Sequence, residues 1–172
     1  MKRDDEIKQL KERLFKKDQL ILSSQAQLAT VVIDHFGKEA EEVINNFIIS
    51  NTHRRAKKFA LSAQQANKKN DIKGLIQSFW IPLLPEGFKF TYEKREEGYQ
   101  MNVTNCPIAN IAKALNLEKW GYTFHCMGNQ AICDGYNPEI HLRRTKTLME
   151  GDAYCDHFYF YYQREKDIPT LK

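Results

Sequence analysis

The sequence predicts an α+β fold in which N-terminal helices precede a β-β-α-α-β-β unit, an antiparallel sheet covered by helices on one face. The first half repeats hydrophobic residues at helical spacing, which indicates amphipathic helices. The second half alternates hydrophobic and polar residues in two hairpin-like stretches, which indicates antiparallel strands. At 172 residues the chain is expected to be a single domain, with a helical part (1–84) and an α+β part (85–172).

The composition is that of an ordinary globular protein. Hydrophobic residues make up 42% and charged residues 28%, which excludes a disordered or low-complexity chain. Apolar runs stay far shorter than the roughly 20 residues of a membrane helix. The basic start Met1–Arg3 leads into acidic residues and not into a secretory apolar segment. We therefore expect a cytoplasmic protein with no membrane partner.

The charge pattern gives little support to a nucleic-acid partner. The net charge of +4 is too mild to require one. The basic run His53–Lys58 has acidic neighbours and no interleaved aromatic residues, so a solvated helix face is the favoured interpretation. A nucleic-acid or scaffold role through this run is kept only as a third hypothesis.

The first half contains a series of predicted helices. Ile7, Leu10 and Leu14 form an apolar stripe within a first stretch of twenty residues that holds seven basic and five acidic side chains. Because so polar a helix cannot pack deeply, we expect a surface helix or partner-binding arm, and a homo-oligomer in which it packs on another subunit. Further helices are predicted over 26–36, from Lys38 onward, and over 70–80 before Pro82 and Pro85.

The second half changes to strand periodicity. Hydrophobic residues alternate over 88–92 and 99–103 on either side of a turn, which predicts a hairpin. Pro107 is favoured at the first position of a helix and predicts one there. The remaining predicted elements are a helix over Tyr122–Asp134, a strand over Ile140–Leu148, a turn at 150–152 and a strand over Ala153–Gln163.

All four cysteines lie in the second half, and in a reducing cytosol they are expected to be thiols or metal ligands. Cys106 precedes Pro107 and so lies at or beside the N-cap of the predicted helix. The helix dipole and the free N–H groups there are expected to lower its pKa, which favours a nucleophile. The alternative is a small buried hydrophobic residue.

A second group of polar and thiol side chains, Cys126, Asn129, Gln130 and Cys133, shares one face of a predicted helix. This face suits either the lining of a small-molecule pocket or a core surface. No Cys-x-x-Cys pair occurs, so a zinc ribbon has weak support. Thiols from separate elements could still bind a metal, and spacing alone leaves that question open; the sequence itself requires no cofactor.

The last hairpin combines charges with aromatic residues. Asp156 shares a predicted face with Phe158 and its aromatic neighbours. If this apolar face points to the core, the carboxylate needs a cationic partner, Arg144 or Lys146. Such a pair either fixes the hairpin or holds an arginine that binds a substrate carboxylate. On the opposite face, Cys155 and His157 could form a nucleophile–base pair, although packing is the favoured interpretation.

The segment from Cys106 to Phe158 resembles the L-2-amino-thiazoline-4-carboxylic acid hydrolase family. Cys106 follows a strand and Cys126 lies in the next helical stretch. The other matching motifs are Gly135–Pro138, Leu142–Gly151 and the pair Cys155-Asp156. The resemblance covers about a third of the chain with the motifs in family order.

The resemblance implies hydrolysis of a cyclic thiazoline amino acid to a carbamoyl-cysteine product, with a small-molecule carboxylate as substrate. It implies a catalytic set of Cys106, Cys126, Cys155 and Asp156, and a substrate-binding set of Arg144, Thr145 and Thr147, to which we add Asn129 from the helix face. Cys133 is left out because the family more often has another residue there.

One departure bears on activity. The family usually has an aspartate three residues after the helix cysteine, where this chain has Asn129. Our first hypothesis is a hydrolase that opens a small cyclic C=N or C–N compound bearing a carboxylate. The alternative, which the Asn129 departure supports, is a binding or sensor module of the same fold without catalysis.

Overall fold

The structure, a computed structural model, describes residues 2–162. Two long helices open the chain, α1 (Lys2–Phe36) and α2 (Lys38–Gln65). Gly37 joins them at φ 73°, a left-handed conformation that glycine adopts without strain. The helix predicted over 26–36 is the end of α1, because no glycine or proline interrupts the preceding residues. Within residues 2–162 no helix combines the length and hydropathy needed to cross a bilayer.

The α+β part follows a short helical region. That region is α3 (Ile72–Leu75), a π-helical turn (Ile76–Trp80) and a 3-10 segment (Ile81–Glu86). Next come β1 (Lys89–Lys94), β2 (Gly98–Asn105), α4 (Pro107–Leu115), α5 (Glu118–Gly121), a second π-helical turn (Tyr122–Cys126), α6 (Asn129–Tyr136), β3 (Ile140–Arg143), a 3-10 turn (Leu148–Glu150) and β4 (Cys155–Tyr161).

The four strands form one antiparallel sheet in the order β1-β2-β4-β3. This arrangement confirms the predicted α+β class and the two hairpin-like units. In the register, Cys155 lies opposite Val103 and His157 lies opposite Met101. Two chemically reactive side chains therefore lie in the interior of the sheet.

The expectation that the Phe158 face of β4 points to the core is wrong. Cys155, His157 and Tyr159 are buried, whereas Phe158 and Phe160 are only partly buried. The two phenylalanine rings stack on the open face with centroids 5.7 Å apart. Both faces of this strand carry aromatic residues, so alternation alone could not identify the face that the helices cover.

The strand predicted over Ile140–Leu148 ends at Arg143. After it, the side chains of Asp156 and Asp152 accept hydrogen bonds from the backbone N–H groups of residues 145–147. These bonds replace a strand ladder. β4 begins at Cys155, not at Ala153, and its predicted end at Gln163 lies outside the described residues.

The helix predicted over Tyr122–Asp134 is also interrupted, at Met127 and Gly128. A β-carbon at Gly128 would lie 2.9 Å from the Thr52 hydroxyl, and one at Gly135 would lie 2.2 Å from the His53 carbonyl oxygen. Glycine at these two positions lets α6 and the turn before it approach α2 closely.

The core has two clusters. The larger lies between the sheet and the helices α2, α3 and α6; its buried members include Ala56, Leu75, Trp80, Met101, Cys133 and Tyr159. The smaller joins α1 to α4 through Leu22, Ile111 and Met149. The basic residues around buried Ala56 are exposed, as expected for a solvated helix face.

The packing of α1 against the smaller cluster can be tested with a matched control on the same helix. Leu22 is 1% exposed and Leu28 is 68% exposed. We expect Leu22→Ala to lower the free energy of unfolding by about 2–5 kcal/mol, because a buried leucine leaves a cavity. Leu28→Ala should change it by less than about 0.5 kcal/mol. Urea denaturation measures both, and equal losses would contradict this placement of α1.

Candidate active site

Three of the four cysteines lie near one another, although they come from different elements. Cys106 is the N-cap residue of α4, Cys126 ends the second π-helical turn and Cys155 begins β4. Cys106 packs against both core clusters; Cys155 belongs to the larger and Cys126 packs on the smaller. π-Helical turns are rare and occur often at functional sites.

The electrostatics of Cys126 reflect this proximity. Burial raises the pKa of Cys126 to about 12, and the Arg144 guanidinium acts against that rise. Cys106, Cys155 and Glu150 raise it further, because a second negative charge nearby opposes ionisation. The three sulfur atoms and Arg144 thus form one electrostatic group.

The predicted N-cap position of Cys106 is confirmed, but the predicted lowering of its pKa is wrong. Burial raises the pKa of Cys106, and the backbone N–H groups of Ala109 and Ile108 oppose the rise without cancelling it. Desolvation therefore outweighs the helix terminus at this position. The resting protein holds neutral thiols at pH 7.

Cys155 connects the site to the loop after β3 through a hydrogen bond. Its Sγ accepts a hydrogen bond from the Leu148 backbone N–H at 3.2 Å. Burial raises its pKa, while the bond from Leu148 and the charge of Arg144 act in the opposite direction. Cys155 is thus both a thiol of the group and an anchor for the 3-10 turn.

Cys133 lies apart from this group. It is fully buried in the larger core cluster, and its Sγ donates to the Asn129 carbonyl oxygen at 3.7 Å. The single helix face predicted to hold Cys126, Asn129, Gln130 and Cys133 does not exist, because the helix is interrupted before Asn129. Gln130 instead accepts a hydrogen bond from the Leu142 N–H at 3.0 Å.

Arg144 is a partly buried cation directed towards the cysteines. Its Nη1 donates to the Cys126 carbonyl oxygen at 3.2 Å and its Nη2 to the Tyr122 hydroxyl at 3.1 Å. The guanidinium also lies 5.5 Å from the Tyr122 ring centroid. No ion pair joins Arg144 to a carboxylate within residues 2–162. Since arginine has five N–H donors, three are left for an anionic ligand.

Asp156 fixes the backbone next to Arg144. Its carboxylate accepts hydrogen bonds from the Thr145 N–H at 2.8 Å, the Thr145 hydroxyl at 2.6 Å and the Lys146 N–H at 2.5 Å. The ion pair expected between Asp156 and Arg144 or Lys146 does not form among residues 2–162. Asp156 binds the Lys146 backbone instead, and the Arg144 side chain binds elsewhere. Burial raises the pKa of Asp156, but these bonds outweigh it and hold that pKa below its usual value.

Thr147 is buried and caps the 3-10 turn. Its hydroxyl accepts from the Glu150 N–H at 3.0 Å and donates to the Glu150 carboxylate at 2.7 Å. Its own N–H donates to Asp152 at 2.8 Å. Thr147, which was predicted to bind substrate, therefore makes these hydrogen bonds within the loop itself.

His157 is packed in the interior beside the thiols, as the favoured interpretation of the sequence expected. It is 2% exposed, and its Nε2 lies 3.1 Å from the Asn129 side-chain nitrogen. The Trp80 ring meets it edge-on at 5.1 Å. Burial and the charge of Arg144 lower the pKa of His157 to about 3, so the ring is neutral. The available signal was its i+2 spacing from Cys155, which acquires meaning only once the buried face of β4 is known.

An open cleft of about 510 Å³ lies beside the thiol group. Tyr122, Met149 and Glu150 line it together with Lys113 and Lys119. The volume suits a small molecule. The three cysteines are not among the residues lining this cleft; Tyr122 connects it to Arg144, and Met149 connects it to the core cluster against which Cys106 and Cys126 pack.

The described residues do not support the metal-binding alternative. Within 2–162, no group of three or more His, Cys, Asp or Glu side chains is arranged to hold a metal ion. All four cysteines are free thiols. The side chains that the structure brings together here include thiols, an arginine and a neutral histidine.

Within residues 2–162, the structure thus combines an α+β body, clustered thiols and an arginine without an ion-pair partner beside a small cleft. The model of the L-2-amino-thiazoline-4-carboxylic acid hydrolase family matches residues 16–159, and the chain belongs to this family. The match extends well upstream of the segment that carries the sequence resemblance. A search of curated proteins found no match, and neither did a search of solved structures.

The hydrogen bonds of Asp156 predict a pH-dependent loss of stability. Asp156→Asn removes the charge that accepts three bonds, and we expect a loss of about 1–3 kcal/mol at pH 7. A carboxylate with a lowered folded pKa stabilises the fold above its unfolded pKa of about 3.9, and the effect disappears as the pH falls through the folded value.

The difference between wild type and Asp156→Asn should therefore be constant above about pH 5 and shrink below about pH 4. Urea denaturation across this pH range measures it. Asp34→Asn, at an exposed position on α1, is the matched control and should have no effect. A difference in stability between wild type and Asp156→Asn that grew as the pH fell would refute the assigned role of Asp156.

Proposed function

We propose that this protein is a hydrolase of its family's type, which opens a small cyclic C=N or C–N compound bearing a carboxylate. The observation that supports the proposal is that Arg144 lies near Cys126 and Cys155, and that these two thiols lie near Cys106. Thiols supply nucleophiles, and a partly buried arginine that forms no ion pair with the described carboxylates supplies a receptor for a substrate carboxylate.

Arg144 binds the substrate carboxylate. Two of its N–H groups hold it against the Cys126 carbonyl and the Tyr122 hydroxyl, so its plane is fixed before a ligand arrives. The remaining donors suit a bidentate carboxylate contact. Asp156 and Thr145 act by holding the adjacent backbone, and Thr147 by capping the turn that follows.

Cys106 is the favoured nucleophile, with Cys126 as the other candidate. Cys106 is only partly buried and has the N–H groups of Ala109 and Ile108 near its sulfur. Because the thiol is neutral at rest, it adds across the C=N bond: the sulfur bonds to carbon and the thiol proton passes to the ring nitrogen. This addition needs no separate base.

Ring opening and hydrolysis complete the cycle. The carbon–sulfur bond of the ring breaks, and the leaving sulfur takes a proton from an amidine nitrogen of the adduct. Water then adds to the carbon attached to the enzyme sulfur. The bond to the enzyme breaks, the Cys106 thiol regains its proton, and a carbamoyl product leaves. Overall, one water is consumed for each ring opened.

The cysteine assignment is tested by turnover of L-2-amino-thiazoline-4-carboxylic acid, followed by mass spectrometry. We expect Cys106→Ser and Cys126→Ala each to abolish product formation while circular dichroism shows a folded protein. Cys133→Ala is the matched control, because Cys133 lies outside the thiol group, and it should keep turnover. Full activity in both Cys106→Ser and Cys126→Ala would refute the assignment.

A non-catalytic binding or sensor module is the second candidate function. The observation that favours it is burial of the thiols, which raises the pKa of all three and leaves them neutral. Such a module would be stabilised by the same compound through mass action, without forming product. A rise in melting temperature with no product from the wild type would select this candidate.

We also propose a homo-oligomer, in a reducing cytoplasm and without a nucleic-acid partner. Seven large hydrophobic side chains on α1 and α2 are between 63% and 68% exposed: Leu10, Leu20, Leu28, Val31, Phe36, Val43 and Phe47. An apolar surface of this kind is typical of a protein contact. Light scattering of the full chain should give a dimer or a larger assembly; a monomer at all concentrations would count against it.

A further inference from the structure

The buried ring of His157 has one nitrogen that the fold leaves without a partner. Its Nε2 lies 3.1 Å from the Asn129 side-chain nitrogen, whereas its Nδ1 is buried with no hydrogen-bond partner within residues 2–162. A buried polar atom without a partner is unfavourable, and such atoms are uncommon in native structures. This one requires an explanation.

The contact with Asn129 decides which nitrogen carries the proton. The amide nitrogen of Asn129 can only donate, so Nε2 must accept and bears no hydrogen. In a neutral imidazole the single proton is then on Nδ1. The unpartnered atom is therefore an N–H donor held away from water.

The ring is held in a fixed orientation. Trp80 meets it edge-on at 5.1 Å and Tyr159 stacks on it at 6.1 Å. These two neighbours are themselves joined by a bond from the Trp80 indole N–H to the Tyr159 hydroxyl at 2.9 Å. Asn129, at the first position of α6, completes the enclosure.

His157 also belongs to the neighbourhood of the thiols. Cys155 lies two residues before it on the same face of β4, about 7 Å away along the strand. The charge of Arg144 acts on His157 as it acts on Cys126 and Cys155. The donor and the proposed carboxylate receptor are therefore part of one site.

We propose that His157 is a further catalytic residue, whose Nδ1–H donates a hydrogen bond to the atom that becomes negatively charged during ring opening, and that Asn129 is the positioning residue that keeps the proton on Nδ1. The inference rests on the proposed function. The charged atom is the ring sulfur as its bond to carbon breaks. His157 stays neutral and transfers no proton; it stabilises charge as a preorganised donor in a dry environment.

The tautomer is tested first, without reference to turnover. The full chain is labelled with ring-15N histidine, and the ring nitrogens are observed by long-range proton–nitrogen NMR at pH 7. The signals of His157 are those lost from His157→Gln among the five histidines. We expect a proton on Nδ1. A proton on Nε2 would overturn the inference, because Nδ1 would then be an acceptor.

Asn129→Asp tests the positioning role in the same spectra. A carboxylate can only accept, so the proton should move to Nε2. Turnover should then fall although His157 itself is unchanged. An unmoved proton, or a moved proton with wild-type turnover, would overturn the role assigned to Asn129.

Two substitutions of His157 distinguish the roles of its two ring nitrogens. The amide of Asn reaches the position of Nδ1, and the amide of Gln reaches that of Nε2. With L-2-amino-thiazoline-4-carboxylic acid we expect His157→Gln to lose about 10- to 1,000-fold in kcat with little change in KM, and His157→Asn to retain more of kcat. Urea denaturation checks that both fold. Equal kcat in wild type and His157→Gln would overturn the inference.

A failure of the proposed function is distinguishable from a failure of this inference. If the wild type forms no product, the proposed function fails. The Nδ1 signal of His157 is then followed as the same compound is added. A changed Nδ1 signal would support a donor that meets the ligand, and an unchanged signal at saturating compound would overturn it.

Discussion

The carboxylate of Asp156 fixes the path of the chain after β3, and the arrangement of the site depends on that path. Three hydrogen bonds to Asp156 come from Thr145 and Lys146. They end the strand and hold the next residues as a loop. Arg144, at the start of this loop, reaches across to the Cys126 carbonyl and the Tyr122 hydroxyl. The sequence suggested the Asp156 carboxylate as a partner for an arginine side chain. In the structure it instead fixes the backbone of the residues that follow Arg144.

Burial is the largest influence on the pKa values of the three clustered thiols and of His157. It raises the pKa of Cys106, Cys126 and Cys155 and lowers that of His157. The result is a set of neutral thiols and a neutral imidazole, of which Cys126, Cys155 and His157 lie near the Arg144 cation. Neutral thiols are slow nucleophiles in water, but a thiol that adds across a C=N bond delivers its proton to the substrate.

Hydrophobic periodicity and proline position predicted much of the fold from the sequence. The N-cap location of Cys106 follows from Pro107, and the hairpins follow from alternation. The buried face of β4 did not follow, because Phe158 and Tyr159 are both large aromatic residues and periodicity treats them alike. The sign of the Cys106 pKa shift did not follow either, because it depends on how deeply the tertiary structure buries a helix terminus.

The candidate site was only partly accessible to the same reasoning. Cys106, Cys126, Cys155 and Arg144 come from four separate segments, and it was the family motifs that indicated their association. The sequence analysis named His157 only as a possible partner of Cys155, because its contact with Asn129 joins β4 to α6, 28 residues earlier in the chain. Asn129 is also the position at which this chain departs from the usual family residue. The departure thus falls on the only side chain recorded as hydrogen-bonded to His157 in the described part of the chain.

Competition between two alkylating reagents tests most directly whether Arg144 delivers carboxylates to the thiols. Iodoacetate carries a carboxylate and iodoacetamide does not, and peptide mapping by mass spectrometry gives the rate at each cysteine. The account predicts a higher iodoacetate-to-iodoacetamide ratio at Cys106 or Cys126 than at Cys133, and loss of that preference in Arg144→Gln. An equal ratio at all cysteines, or a preference that survives in Arg144→Gln, would contradict it.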